Sequence, residues 1–301
     1  KAAAVYAGPA VRRLAREYGV ALEEISGSGK RGRITKDDLK AHVKNRLSNV
    51  TESTFNQGLP EVETINFSKF GETSSLALSR IQQVAAKNLH ASWVNLPHVT
   101  QHDKVDVTDL EDFRSALNAE AEDAGGKITP LAFIVRASCL VLQDYPIFNA
   151  SLEPSGKSVL VNQFFNIGFA VDTPEGLVVP VIKEADKKGL SQISSEISDL
   201  SEKAREKKLA MNDLQGGTFT ISSLGALGGT GFTPIVNAPQ VAILGVARMD
   251  IEPVWTGDQF SPRKVIPLSL SYDHRVINGA DGGRFMNSLT RLLGDIRRLS
   301  L

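Results

Sequence analysis

The residues best suited to chemistry lie in the run Ser271-Tyr272-Asp273-His274-Arg275-Val276-Ile277-Asn278-Gly279-Ala280-Asp281-Gly282. It leaves an apolar stretch and enters a helical one. Such junctions bring polar side chains to the rim of a sheet, where sites are often built. Of the five histidines, His274 has the most polar and turn-rich surroundings. An imidazole there can take up and return a proton near neutral pH. A second run, Gly216-Gly217-Thr218-Phe219-Thr220-Ile221-Ser222-Ser223-Leu224-Gly225, reads as a strand ending in a glycine turn, with two adjacent hydroxyls at its end. Neighbouring strand residues face opposite sides, so Ser222 and Ser223 cannot both serve one site. His98 and His102 are four apart, which on a helix would suit a metal. Pro97 and the alternation after it make that segment a strand, so no metal site is read there. His42 lies on a basic helix, and His90 follows Leu89 on another. Cys139 is alone in an apolar run and can form no internal disulfide.

These residues need an α/β framework to hold them. Residues 75–93 are expected to form a helix with Leu78, Ile81, Ala85 and Leu89 on one face. Residues 98–107 read as a strand, and 109–124 and 130–143 as helices. Apolar, β-branched stretches at 159–171, 177–182 and 218–222 read as strands. Residues 191–208 read as a helix capped by Ser191, 241–246 and 265–271 as strands, and 280–298 as the last helix. Strands and helices do not alternate strictly, so the expectation is a mixed sheet covered by helices on one side.

Ahead of this framework, residues 8–45 look like a separate small unit. Pro9 opens a helix with Val11, Leu14 and Ala15 on its apolar face. After a glycine-rich loop, Thr35 caps a second helix, with Asp38 three residues on and Ile34, Leu39 and Val43 on its apolar side. Residues 46–62 are polar and without period, as in a linker. Residues 1–7 resemble the end of an Ala-rich linker, so the chain reads as a fragment of something longer.

Lys+Arg and Asp+Glu both number 34, which argues against a nucleic-acid partner held by phosphate contacts. No apolar run reaches the length of a membrane span, so no membrane partner is read. A single cysteine fits a reducing cytoplasm.

The His274 run resembles the DHRxxDG signature of the acyltransferases of 2-oxo acid dehydrogenase complexes, whose superfamily includes chloramphenicol acetyltransferase. The resemblance implies a chloramphenicol-acetyltransferase-like fold and makes His274 the base that deprotonates the thiol of coenzyme A. The thiolate would then attack an acyl-dihydrolipoamide. A thiol of pKa about 8.5 needs only modest help to ionise. The family usually has Asp where this chain has Asn278. In the superfamily that Asp pairs with an arginine on the first helix of the catalytic domain, matched here by Arg80. Asn278 cannot form the ion pair and is expected to support the site. The second run is similar to the family's GTFTISNLG segment, which makes Ser222 the donor to the oxyanion. The segment Thr173–Ile182 resembles a strand beside the family's substrate channel; no residue in it is taken as catalytic. Glu184-Ala185-Asp186-Lys187-Lys188 contains the Asp-Lys pair of a lipoyl attachment site, but it leads into a helix rather than a hairpin tip, so Lys187 is not read as lipoylated.

Residues 8–45 resemble the peripheral-subunit-binding domain of the same complexes. Between Arg12 and Lys44 nine bases face five acids, a net charge of four. Arg12, Arg16 and Arg33 match the family's partner-contacting arginines. The implied partners are the pyruvate decarboxylase component and dihydrolipoyl dehydrogenase, steered by charge. The resemblance also implies coenzyme A as substrate, a lipoyl group carried on domains ahead of Lys1, and homotrimers assembling into a cubic core of 24 subunits. Likeness to bacterial acetyltransferase components makes acetyl the expected acyl group. Succinyl or branched-chain transfer is the alternative. A stand-alone acetyltransferase would not need residues 8–62, and a purely structural scaffold would be expected to lack His274.

Overall fold

The computed structural model describes residues 6–49, 62, 64–120 and 127–300. The chain divides into two compact units, Lys1–Ser75 and Leu76–Leu301. Most of the expected linker, residues 50–61, falls outside the described residues, as does residue 63.

The smaller unit is built on α1 (Pro9–Glu17) and α2 (Lys36–Asn49), joined by loops and short turns. Val11, Ala15, Ile25, Ile34 and Leu39 form its core, with Leu14 and Val43 packed against it. Thr35 and Asp38 cap α2 reciprocally. The Asp38 N–H donates to Thr35 Oγ1 at 3.2 Å, and the Thr35 N–H donates to Asp38 Oδ2 at 2.8 Å. The Ser28 N–H donates to the same carboxylate oxygen at 3.0 Å, tying the glycine-rich loop to the helix start. The amides of Ser28 and then Thr35 hold the Asp38 carboxyl well below the usual carboxylate range. Thr35→Ala is expected to cost this unit about 1 kcal/mol, a typical loss of an N-cap, read as about fivefold faster amide exchange through α2. Asp38→Asn should weaken the same box. Because the folded carboxyl titrates below its unfolded value, the benefit is complete above the ordinary carboxylate pKa and fades only as pH falls through the lower folded one. Native exchange rates through α2 in both variants would rule this capping account out.

In the larger unit α3 (Arg80–Asn95) starts five residues later than expected. Ser79 caps it, accepting from the Gln82 N–H, while Gln82 Oε1 accepts from the Ser79 N–H. Leu78 therefore lies outside the helix. Then come β1 (His98–Asp106), α4 (Thr108–Glu120), α5 (Pro130–Asp144), β2 (Ala150–Leu152) and β3 (Val159–Val161). The expected long strand over 159–171 is broken up, continuing as β4 (Ile167–Phe169) and β5 (Val171–Thr173). The side chains of Asn149 and Asn162 each donate to the other's backbone carbonyl, which holds a turn where the apolar run is interrupted. The run 177–182 divides likewise into β6 (Gly176–Val178) and β7 (Val181–Ile182). α6 (Leu190–Arg205) is capped at Gly189, whose N–H is bonded by Gln192, rather than by Ser191.

Next are β8 (Phe219–Ser223), β9 (Ala242–Val246), β10 (Asp250–Trp255), β11 (Phe260–Asp273) and α7 (Gly279–Leu293). The main sheet has seven strands in the order β1-β11-β9-β8-β4-β7, with β10 also paired to β11. β8 runs parallel to β4 and β9, and the other pairs are antiparallel. Phe219, Ile221, Leu244, Leu268, Leu270 and Tyr272 belong to one core with α5, α6 and α7. Helices thus cover that face of a mixed sheet. On the other face Val236 and Leu96 cover Ile243, and the Phe232 ring lies over Gly245, where a Cβ would come within 2.9 Å. β10 was missed in sequence; with β11 it makes a hairpin on which Pro253 stands directly opposite Pro262. α7 stops at Leu293, five residues short of expectation, because Gly294 follows it. Leu299 is buried in the core of the larger unit, and Leu301 lies outside the described residues. Among the described residues no helix is long and apolar enough to cross a membrane.

Candidate active site

His274 follows the last residue of β11 and is exposed. Its N–H donates to the carbonyl of Pro97 at 3.0 Å, which anchors it to the turn between α3 and β1. Its ring lies 6.0 Å from that of Tyr272. The preceding Asp273 is buried and grips Arg275, accepting from Nε at 3.0 Å and from Nη2 at 2.7 Å. The Asp273 carbonyl also accepts the N–H groups of Val276 and Ile277. These bonds close the turn that presents His274. Neither Asp273 nor Pro97 was given a role in the site from sequence, because their contribution depends on folded geometry.

Asn278 is the N-cap of α7, its Oδ1 accepting from Ala280 N–H at 3.0 Å and Asp281 N–H at 3.1 Å. That fits a supporting residue whose acceptor is spent on its own helix. Arg80 is the first residue of α3. Gly282 lets α7 lie directly on the sheet: a Cβ there would come within 2.8 Å of Gln101 Oε1 and 2.9 Å of the Tyr272 ring.

Ser222 is half-buried near the end of β8, on the face away from the helices. Phe219 and Ile221 point into the core, so Ser222 shares the outer face with Thr220, and Ser223 turns to the core side. The register then separates Ser222 from His274. Ser222 pairs with Gly245, and Gly245 with Ser269, five residues before His274. With about 3.4 Å per residue along a strand and about 4.8 Å between strands, the two residues are about 20 Å apart. β8 and β11 run in opposite directions, so their C-terminal ends lie at opposite ends of the sheet. One chain alone cannot bring both to the same reacting carbonyl.

The other groups considered from sequence have structural occupations. His98 bonds Leu96 O and Val236 N–H, and His102 bonds Ser269 Oγ. Lys187 pairs with Glu184 in the turn before α6. Burial, then the charge of Asp186, pushes the Cys139 thiol up to about 12, so it stays protonated at neutral pH. In the smaller unit Arg12 Nε donates to Ala7 O, and the Arg33 guanidinium lies 5.4 Å from the centre of the Tyr6 ring. Arg16 is exposed on α1.

Residues 70–301 match the family model for 2-oxoacid dehydrogenases acyltransferase (catalytic domain), and residues 5–40 match that for the e3 binding domain. The dihydrolipoyllysine-residue acetyltransferase component of the pyruvate dehydrogenase complex of Pseudomonas aeruginosa is 54% identical over 303 residues, covering 99% of this chain and 55% of that protein. A solved structure of the cubic core of the pyruvate dehydrogenase multienzyme complex is 52% identical, with a TM-score of 0.79 over 81% of this chain and 100% of its own. Another structure with the same figures belongs to an investigation of the role of a serine, a histidine and an asparagine in the catalytic mechanism of dihydrolipoamide acetyltransferase from Azotobacter vinelandii. The chain spans about half the length of the curated relatives it matches. Through residues 70–301, which carry both the serine strand and the histidine turn, this chain belongs to the 2-oxoacid dehydrogenase acyltransferase family.

Proposed function

We propose that the larger unit transfers an acetyl group between S-acetyldihydrolipoamide and coenzyme A, as the core of a pyruvate dehydrogenase complex. The observation that carries this reading is the spacing of three residues. Ser222, His274 and Asn278 stand as far apart along this chain as the serine, histidine and asparagine studied in the Azotobacter vinelandii enzyme. In the proposed step His274 takes the proton of the coenzyme A thiol. The thiolate sulfur bonds to the acetyl carbonyl carbon, and the carbonyl oxygen becomes an oxyanion that accepts from the Ser222 hydroxyl. Collapse breaks the bond to the dihydrolipoamide sulfur, which leaves with the proton returned by His274. Asn278 holds the start of α7 and transfers no proton.

The 20 Å between Ser222 and His274 supports a site completed by a second copy of the chain, with the histidine of one subunit working against the serine of its neighbour. The exposed apolar side chains of α3, among them Val84, Leu89 and Trp93, support burial of that helix between subunits. A trimer, and a cubic core of 24 built from trimers, is the assembly proposed. The smaller unit is proposed to hold the pyruvate decarboxylase component and dihydrolipoyl dehydrogenase through Arg12, Arg16 and Arg33. S-acetyldihydrolipoamide would be presented by a lipoyl domain, in the cytoplasm.

Mixing tests the shared site. Chains carrying only His274→Ala and chains carrying only Ser222→Ala should each be nearly inactive in transfer from acetyl-coenzyme A to dihydrolipoamide. Co-assembled from denaturant, they should regain a substantial fraction of native activity, since some interfaces then pair a native histidine with a native serine. No recovery in particles proven to contain both chains would put the two residues to work within one subunit and sink the reading.

A further inference from the structure

We infer that His98 is a positioning residue for His274, an inference that rests on His274 being the base. His98 is half-buried at the first position of β1, and both of its ring nitrogens are engaged. Nδ1 lies 2.7 Å from the Leu96 carbonyl, which can only accept, so Nδ1 carries the proton. Nε2 lies 3.0 Å from the Val236 amide, which can only donate, so Nε2 accepts with its lone pair. Only a neutral imidazole with its proton on Nδ1 makes both bonds. The Trp93 ring stacks on it with centroids 5.6 Å apart and planes at 30°.

These bonds fasten together three segments that meet beside the candidate base. The Leu96 side chain packs with Val236 and Ile243, and the Ala238 amide reaches Ser92 Oγ on α3 at 3.4 Å. Between Leu96 and His98 stands Pro97, whose carbonyl receives the His274 N–H. Proline has no N–H of its own with which to fix the turn. The turn is therefore held from both sides by the His98 ring and the packing of Leu96. Across the sheet, His98 is in register with Asp273, the residue before His274. His98 thus acts on catalysis through the Pro97 carbonyl, by fixing where the His274 backbone rests.

The test is His98→Phe, which keeps a ring to stack on Trp93 and removes both hydrogen bonds. Acetyl transfer should lose about 10–100-fold in kcat, the scale of a displaced catalytic group, with KM within about twofold of native. His98→Gln restores a donor and an acceptor and should recover part of that loss. If His98 works through His274, adding His98→Phe to His274→Ala should change the residual rate by less than about twofold. Native kcat in His98→Phe, a loss confined to KM, or a full further loss in the double variant would each overturn the inference. Should His98→Phe fail to assemble, His98→Asn carries the test: its amide can stand in for Nδ1 as the donor to Leu96 but is too short to put its oxygen where Nε2 accepts from Val236, and a native kcat would likewise overturn the inference. A His274→Ala chain with undiminished activity would remove the reading of the base itself. Native kcat in His98→Phe beside an inactive His274→Ala would remove only the role of His98.

Discussion

His274→Ala is expected to lower acetyl transfer by about 10²–10⁴, the range that positioned general bases contribute. The side chain is exposed beyond the end of β11, and the bonds that close its turn belong to the backbone of His274 and to Asp273. Removing the imidazole should therefore leave the fold and the particle size as they are. Without a base, the reaction must draw on the small fraction of coenzyme A already ionised. The loss should accordingly shrink as pH rises toward the thiol pKa of about 8.5. Steady-state rates from pH 6.5 to 9 measure both effects. A loss of less than about tenfold at neutral pH would leave His274 without its assigned role.

Ser222→Ala is the second large effect. It is expected to reduce kcat by about 10²–10³, the cost of removing one oxyanion donor in an enzyme. KM should stay near native, because the hydroxyl acts on charge that is present only once the tetrahedral intermediate forms. Ser223→Ala is the control. Its side chain turns toward the core side of β8, so its effect on kcat should be small. If Ser222→Ala raises KM and leaves kcat alone, the hydroxyl binds substrate in the ground state.

The chemistry-bearing segments were legible in sequence because each is local. That a histidine stands at a junction between strand and helix, and that two serines end a strand, can be read from alternation and turn residues, while the roles expected of His274 and Ser222 came from the family resemblance. The same holds for the smaller unit, where Thr35 and Asp38 announce the start of α2 three residues apart. What was misread follows from competing local signals. Leu78 keeps helical period with Ile81, Ala85 and Leu89 and so masked the cap formed by Ser79 and Gln82, and the helix was begun too early. Prolines at 253 and 262 disguised a two-stranded ribbon. The part of the site that sequence could not supply is register. That His274 and Ser222 lie at opposite ends of the sheet, and that Pro97 and His98 meet the histidine turn, depends on pairings between β1, β11, β9 and β8. Those residues are far apart in the chain, and no local pattern reports how they align.

The facing prolines of the hairpin bear on unwanted strand pairing between copies of the chain. In an antiparallel pair, directly opposed residues either exchange both N–H···O bonds or turn their N–H groups outward. Pro253 and Pro262 have none to exchange, so theirs is an outward pair, and the missing donors fall on the two outer rims of the ribbon. β1 covers β11 only from Val265 onward, so neither rim is sheltered there by a strand of the main sheet. A foreign strand laid along either rim would find one rung of its ladder absent and a carbonyl of its own left dry. The ribbon can extend past the sheet without offering a complete template for stray strand addition.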